Sequence, residues 1–302
     1  MRWSGVLVAA GIWLCAVPAQ AQTVRLSAPA DCLTNTGCGV GLKSAYGLDV
    51  RPAFVPLTVA DAGISALDDG VAEVAVAFSS NPQVSRPDIV TLRDDREMIY
   101  PDRVVPVARR QFLRGYGKAA ADIRRRVNGA SSALTTLALR GLNQAVIDGR
   151  LPEAVGGEFI DANGLGGVRS RRAGKRIVVG FMAFAENETL AHLYAEALRA
   201  GGFRVIVRPV GGLRPQAVAK LRSRRIDLYP AYDGSLLRYL VGTSSARLKA
   251  GLTRTLARIG AEPLRLSRAQ NHNVFVTKTD TASRLGLARI SDLARYWQTA
   301  GQ

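Results

Sequence analysis

Residues 217–235, AVAKLRSRRIDLYPAYDGS, and residues 63–83, GISALDDGVAEVAVAFSSNPQ, follow one plan: a short helix, a turn, an apolar strand, and a polar or aromatic loop at its carboxyl end. This constrains the fold more than any other feature. The first copy extends upstream. Arg176 to Gly180 is a β-branched run that reads as a strand, and a helix follows with Leu190, Tyr194, Ala197 and Leu198 on one face. Asn187 is placed to cap that helix and Gly201-Gly202 to stop it. Val205 to Val207 gives a second strand, Pro215 sits at the start of a second helix, and Ile226 to Leu228 gives a third strand. Strand–helix–strand repetition implies a parallel sheet with right-handed crossovers. Ligands of such sheets bind at the carboxyl ends of the strands. Two units of this kind predict an α/β protein of two similar lobes facing one cleft. Helices are expected to dominate from Val107 to Phe159, and Asn163 to Lys175, glycine-rich and then arginine-rich, reads as a linker.

The amino terminus reads as an export signal. Arg2 precedes an apolar run from Gly5 to Val17 that is too short to span a bilayer, and Ala19-Gln20-Ala21 fits a cleavage site, so residues 1–21 are expected to be removed after Ala21. Cys15 lies inside that segment, which leaves Cys32 and Cys38. In an oxidising compartment these two are expected to pair. The formal charge of +17 comes from 41 basic and 24 acidic residues. Only six of the basic residues are lysine, and the arginines are scattered without interleaved aromatic residues. That pattern points to a solvated surface and away from nucleic acid.

Catalytic chemistry finds little support. His192 and His272 have no serine or cysteine nucleophile motif around them, and Gly37 to Gly41 lacks the lysine and hydroxyl of a phosphate loop. Asp68-Asp69 and Asp94-Asp95 read as solvated turn residues, and no metal cluster or cofactor motif is found. The chain is therefore read as a binding protein, not an enzyme.

Several blocks resemble the glycine betaine/choline/carnitine (quaternary ammonium) substrate-binding proteins of ABC importers. Gly180 to Phe203 matches the opening pattern GSxNFTEQ…LAEIYAQALEAAGY, with Phe184, Glu186, Leu190, Ala191 and Tyr194 in corresponding places. Ile226 to Ser235 resembles IDLYPEYTGT, and Gln270 to Thr277 resembles the crossing FNNTYALAV. The closing part of the family pattern lies at the other end of the chain. Ala28 to Val50 resembles PPECxxRxxCxPGLxxxYGLxF, including both cysteines; Val74 to Asn81 resembles VDVAxAFSTD; Thr91 to Arg109 resembles LEDDKxFFPPYNAVPVVR; and Asn128 to Leu165 resembles the closing helices. The resemblance implies a two-lobed type II periplasmic-binding-protein fold, circularly permuted. One lobe is expected from residues 24–101 plus 274–302, and the other from 102–273, with the linker at 163–175.

The family resemblance also implies a job: an exported, periplasmic, monomeric receptor that binds a small zwitterionic or cationic solute and delivers it to a membrane permease. A sensor subunit docking on a membrane signalling protein is the alternative, and neighbouring permease and ATPase genes would separate the two. Aromatic faces hold quaternary ammonium groups by cation–π attraction, roughly 0.5–2 kcal/mol per ring. Candidate rings are Phe78, Tyr229, Tyr232 and Phe275, and Phe184 and Glu186, in corresponding places of the family's opening motif, are further ligand-binding candidates. Asn187 and Ser79-Ser80 are candidates to hold a carboxylate. The family's cage is altered, however. One of its tyrosines falls on Asp102, a threonine on Asp233, another tyrosine on Phe275, and a further ring position near Ile64. Two added carboxylates predict weak glycine betaine binding and a preference for a protonated amine or guanidinium.

Overall fold

The computed structural model describes residues 24–57, 62–167, 175–242 and 251–297. The expected leader and most of the linker, residues 168–174, lie outside them. The described chain forms ten strands: β1 Leu26–Pro29, β2 Phe54–Leu57, β3 Val74–Phe78, β4 Ile89–Thr91, β5 Val104–Arg109, β6 Ile177–Phe181, β7 Val205–Pro209, β8 Leu228–Tyr232, β9 Ala261–Pro263 and β10 Asn273–Lys278. Its helices are α1 Gly39–Gly41, α2 Gly63–Asp68, α3 Arg110–Gly115, α4 Ala120–Ala133, α5 Thr136–Ile147, α6 Pro152–Ala162, α7 Ala185–Arg199, α8 Arg214–Arg222, α9 Asp233–Val241, α10 Gly251–Ala257 and α11 Thr279–Leu285. None of the helices is long and apolar enough to cross a membrane.

Two five-stranded sheets result, ordered β2-β1-β3-β10-β4 and β7-β6-β8-β5-β9. In each, four strands run parallel and one, β10 or β5, runs antiparallel between its two neighbours. The second sheet is thus built from one stretch, residues 104–263, and the first takes β10 from beyond it; the chain crosses between the sheets at 92–103 and returns at 264–272. The two crossings run side by side. Val104 N–H donates to the Ala269 carbonyl at 3.0 Å and Asn271 N–H to the Asp102 carbonyl at 2.9 Å.

Where the sequence reading differs, packing explains it. Val104 to Arg109 is a strand rather than the start of a helical region. Its run of valines is buried on both faces, between β8 and β9, which suits β-branched side chains. The β8 strand starts at Leu228, two residues later than expected, and ends at Tyr232. Helix α7 begins at Ala185 with Phe184 as its N-cap, so Asn187 lies inside its first turn and is not the cap. Glu186 and Glu188 there suit the positive end of the helix dipole. The α7 helix is also buried well beyond the single face expected, with Leu193 and Ala195 inaccessible as well, because α4, α5 and α6 cover it. Gly156 allows the closest of these approaches: a Cβ there would stand 2.7 Å from the Leu193 nitrogen. Asp94, expected in solvent, instead accepts hydrogen bonds from the Tyr46 hydroxyl and from the Met98 and Ile99 amides.

Strand alternation sorts the first sheet's core. Val74, Val76 and Phe275 face a cluster with Tyr46, Leu293 and Trp297; Ala75, Ala77, Val274 and Val276 face Ile64 and Leu67. The two ends of the described chain meet in the former cluster, where the Trp297 indole N–H donates to the Val24 carbonyl at 2.7 Å.

Cys32 and Cys38 are joined in a disulfide, and both are buried. The closed loop is short, so the bond is expected to contribute about 2 kcal/mol by the loop-entropy estimate. Reduction should lower the unfolding free energy read from urea titration by that amount, and thiol reagents should label Cys32 and Cys38 only after reduction and unfolding. Labelling without a reductant would contradict this.

Candidate functional site

Between the two sheets lies a cleft of about 700 Å³. Its floor is built where the sequence periodicity ends strands and starts helices. Met182, Phe184 and Glu186 follow β6; Leu213 and Arg214 follow β7; Tyr232 closes β8; and Phe78, Ser80 and Asn81 follow β3. Asp102 and Asn271 come from the two crossings, and Asn143 from α5.

Glu186 is the centre of this floor. Its carboxylate is buried and accepts three hydrogen bonds, from the Tyr232 hydroxyl, from Asn143 Nδ2 at 2.7 Å and from Asn271 Nδ2 at 2.8 Å. Burial, and then the adjacent negative charge, hold the Tyr232 hydroxyl well above its ordinary pKa, so it stays a donor. Both amides must turn their NH2 groups toward the carboxylate, which fixes their orientation. Their Oδ1 atoms are left buried with no donor among the described residues. No basic side chain pairs with Glu186 among the described residues. Three neutral donors leave its charge in place, next to two acceptors in need of donors.

A second carboxylate stands at the cleft's edge. Asp102 is buried and accepts from the Ser235 amide at 2.9 Å. Loss of water pushes its carboxyl up to about 6, and the charge of Asp233 adds to this; Ser235 and Arg214 act the other way. The Arg214 guanidinium donates to Ser235 Oγ at 2.8 Å, so a cation lies close by. Gly234 makes this corner possible, since a Cβ there would meet the Pro101 carbonyl at 2.4 Å.

The cleft thus gathers Phe78, Phe184, Glu186, Tyr232 and Asp102, with Ser80. The other expected residues have different work. Tyr229 is buried within the second sheet's core, one strand position from facing Tyr232's side, and its hydroxyl has no partner among the described residues. Phe275 lies in the first sheet's core, because alternation turns it away from the crossing. Asn187 is buried and clamps the chain: its Oδ1 accepts from the Met182 amide at 2.7 Å and its Nδ2 donates to the Pro230 carbonyl at 3.1 Å. Ser79 Oγ donates to the Gln270 carbonyl and accepts from the His272 amide, fastening a crossing segment. Asp233 binds the Arg103 amide at 2.7 Å and its guanidinium at 2.9 Å, and lines no part of the cleft. None of these five side chains, expected at the site, lines the cleft.

Sequence reasoning missed Asn143, Asn271, Arg214 and Ser235. Asn271 had a signal in the crossing motif QNHN, and Arg214 in its place at a helix start after a strand. Asn143 had none, being mid-helix and 43 residues from Glu186. It also donates to the Ser80 carbonyl, while Arg140 donates to the Ser79 carbonyl at 2.8 Å and to Ser85 Oγ at 2.9 Å. The α5 helix therefore ties the two sheets together along one side of the cleft.

The family described as the substrate binding domain of ABC-type glycine betaine transport systems matches residues 23–162 and 175–301. The chain belongs to this family. Its work is accordingly to bind a small molecule for an ABC importer, not to catalyse a reaction, and the family's two-lobed architecture is the one seen in its sheets. No curated protein matches the sequence. Similar solved structures include a phosphate-binding protein of a phosphate ABC transporter from Streptococcus pneumoniae TIGR4, at 9% identity over 91% of this chain and 96% of that one, with a TM-score of 0.48. The BvgS VFT2 domain of Bordetella pertussis is 11% identical over 90% and 87%, with a TM-score of 0.39. A sulfonate-binding protein from Methylobacillus flagellatus KT is 10% identical over 91% and 67%, with a TM-score of 0.38.

Proposed function

We propose that this receptor binds a small cationic or zwitterionic solute whose positive group carries N–H donors, a protonated amine or a guanidinium. The observation that carries the reading is Glu186: a buried carboxylate held by neutral donors, flanked by two amide oxygens that lack donors. A methylated quaternary ammonium could satisfy the charge but not those acceptors. The aromatic alternative retains Phe78, Phe184 and Tyr232 in the cleft, the Tyr232 hydroxyl being engaged by Glu186. Tyr229 and Phe275 are core residues, and the Tyr100 ring near the cleft is already covered by the Arg238 guanidinium at 3.4 Å. Arg214, on the Asp102 side, suits the carboxylate of a zwitterion.

The reading extends to the chain's origin and compartment. The protein is exported, cleaved after Ala21, and serves a permease in the membrane from the periplasm. Its lobes comprise residues 24–101 with 274–302, and 102–273, in permuted order. The break in the family match at 163–174 supports this, since that is where the family's own ends would be joined. Both sheets share one strand order, so exchanging the halves of the chain would leave the architecture unchanged.

A thermal-shift screen of amino acids, polyamines, guanidines and betaines tests the ligand class, because a ligand of the native state raises its melting temperature. Amines or guanidines should produce the largest shifts; glycine betaine producing the largest would overturn the reading. The pH dependence has a definite sign. A cation needs Asp102 ionised, so affinity should fall as pH drops through about 6. The ligand-free protein should do the opposite. Its folded carboxyl holds a proton more tightly than the unfolded chain, whose ordinary value is 3.8, so this group makes stability fall as pH rises between those limits. Calorimetry and urea unfolding at about pH 5 and about pH 7.5 should show the two opposed trends.

A further inference from the structure

Above its charged floor the cleft changes character. On the side of the second sheet its lip is apolar: Val146 and Ile147 end α5, Phe184 caps α7 and Leu213 caps α8. Ile147 is 67% exposed, Leu213 64% and Phe184 39%, unusual values for large apolar side chains gathered around one opening. The wall opposite, following β3, presents Ser80, Asn81 and Gln83 beside Pro82. Closing the lobes on a wholly polar ligand would press leucine and isoleucine against these carboxamides. The half-buried Gln83 carboxamide would lose water and gain no partner, which is unfavourable, whereas Asn81 is already buried with its Oδ1 accepting from the Gln83 amide. A ligand with an apolar part removes the conflict by lying along the lip. The cleft volume of about 700 Å³ also sits in the upper part of the range, roughly 300–1,000 Å³, that suits ligands larger than a bare head group.

We propose that the cleft takes an amphiphilic cation, its N–H-bearing head on Glu186 and Asp102 and an aliphatic tail of several carbons along Ile147, Phe184 and Leu213. This rests on the cationic reading of the floor given above. The charge is segregated to match: the Glu186 carboxylate lies in the floor and that of Asp102 at the crossing side, both buried, while the apolar side chains of the lip are exposed.

Calorimetry of the mature full chain with ethyl-, butyl-, hexyl- and octylammonium, and with the matching 1-alkanols, tests it. The dissociation constant of the amines should fall on the order of threefold to fourfold per added methylene until the lip is covered. The double variant Ile147→Ser/Leu213→Ser should flatten that slope, and the alkanols should bind far more weakly at each length. Amines that bind with no dependence on chain length would overturn the amphiphile and leave the cationic floor standing. Alkanols binding as tightly as amines would sink the floor and the proposal together. A series in which no amine binds, the long ones included, would also overturn it.

Discussion

Glu186→Gln is expected to weaken ligand binding by about 2–5 kcal/mol, on the order of 30-fold to several thousand-fold in Kd. The substitution keeps the shape and removes the charge. Its new amide also conflicts with its surroundings: the Tyr232 hydroxyl and both asparagine NH2 groups point donors at this site, and one of them would meet another donor. The lost affinity therefore combines the missing charge with a mispaired floor. The variant should remain folded, since α7 is held by its apolar contacts with the sheet and with α4, α5 and α6. Calorimetry with the strongest ligand from the screen reads the effect, and a Kd within threefold of the parent protein's would contradict the central place given to Glu186.

Trp297→Ala should be the most damaging single change to stability outside the cleft, costing about 3–5 kcal/mol. Trp297 is buried in the core cluster that also holds Leu26, Leu48 and Leu293, and its indole N–H bonds to Val24, just before the first strand. Alanine opens a large cavity and also leaves the Val24 carbonyl without its donor. Urea unfolding followed by far-ultraviolet circular dichroism gives the number. A loss under about 1 kcal/mol would mean that the carboxyl-terminal turn is not part of the lobe's core.

Much of the architecture is legible in the sequence because it rests on local period. The β3 strand follows from its short apolar run, and helices α2 and α8 from helical spacing and a glycine or proline at their ends. The β5 strand was harder, since a valine run next to helical segments reads equally well as buried helix, and only its place between β8 and β9 decides. The site divides in the same way. Tyr232 enters the cleft because it ends its strand, whereas Tyr229, three residues earlier on the opposite face, cannot. Glu186 was legible through the family pattern alone. Its partners were not, because Asn143 and Asn271 arrive from a helix and a crossing distant in sequence. Asp233 misled for a related reason: nothing in its spacing reveals that Arg103 already satisfies it.

The central claim is that this family member selects a cation by its N–H donors. Calorimetry at about pH 7.5 on a primary ammonium or guanidinium zwitterion from the screen, beside the same molecule with its nitrogen fully methylated, tests it most directly; by the count of buried acceptors left unpaired, the methylated form should bind at least about tenfold more weakly, and equal or tighter binding of the methylated form would contradict the account.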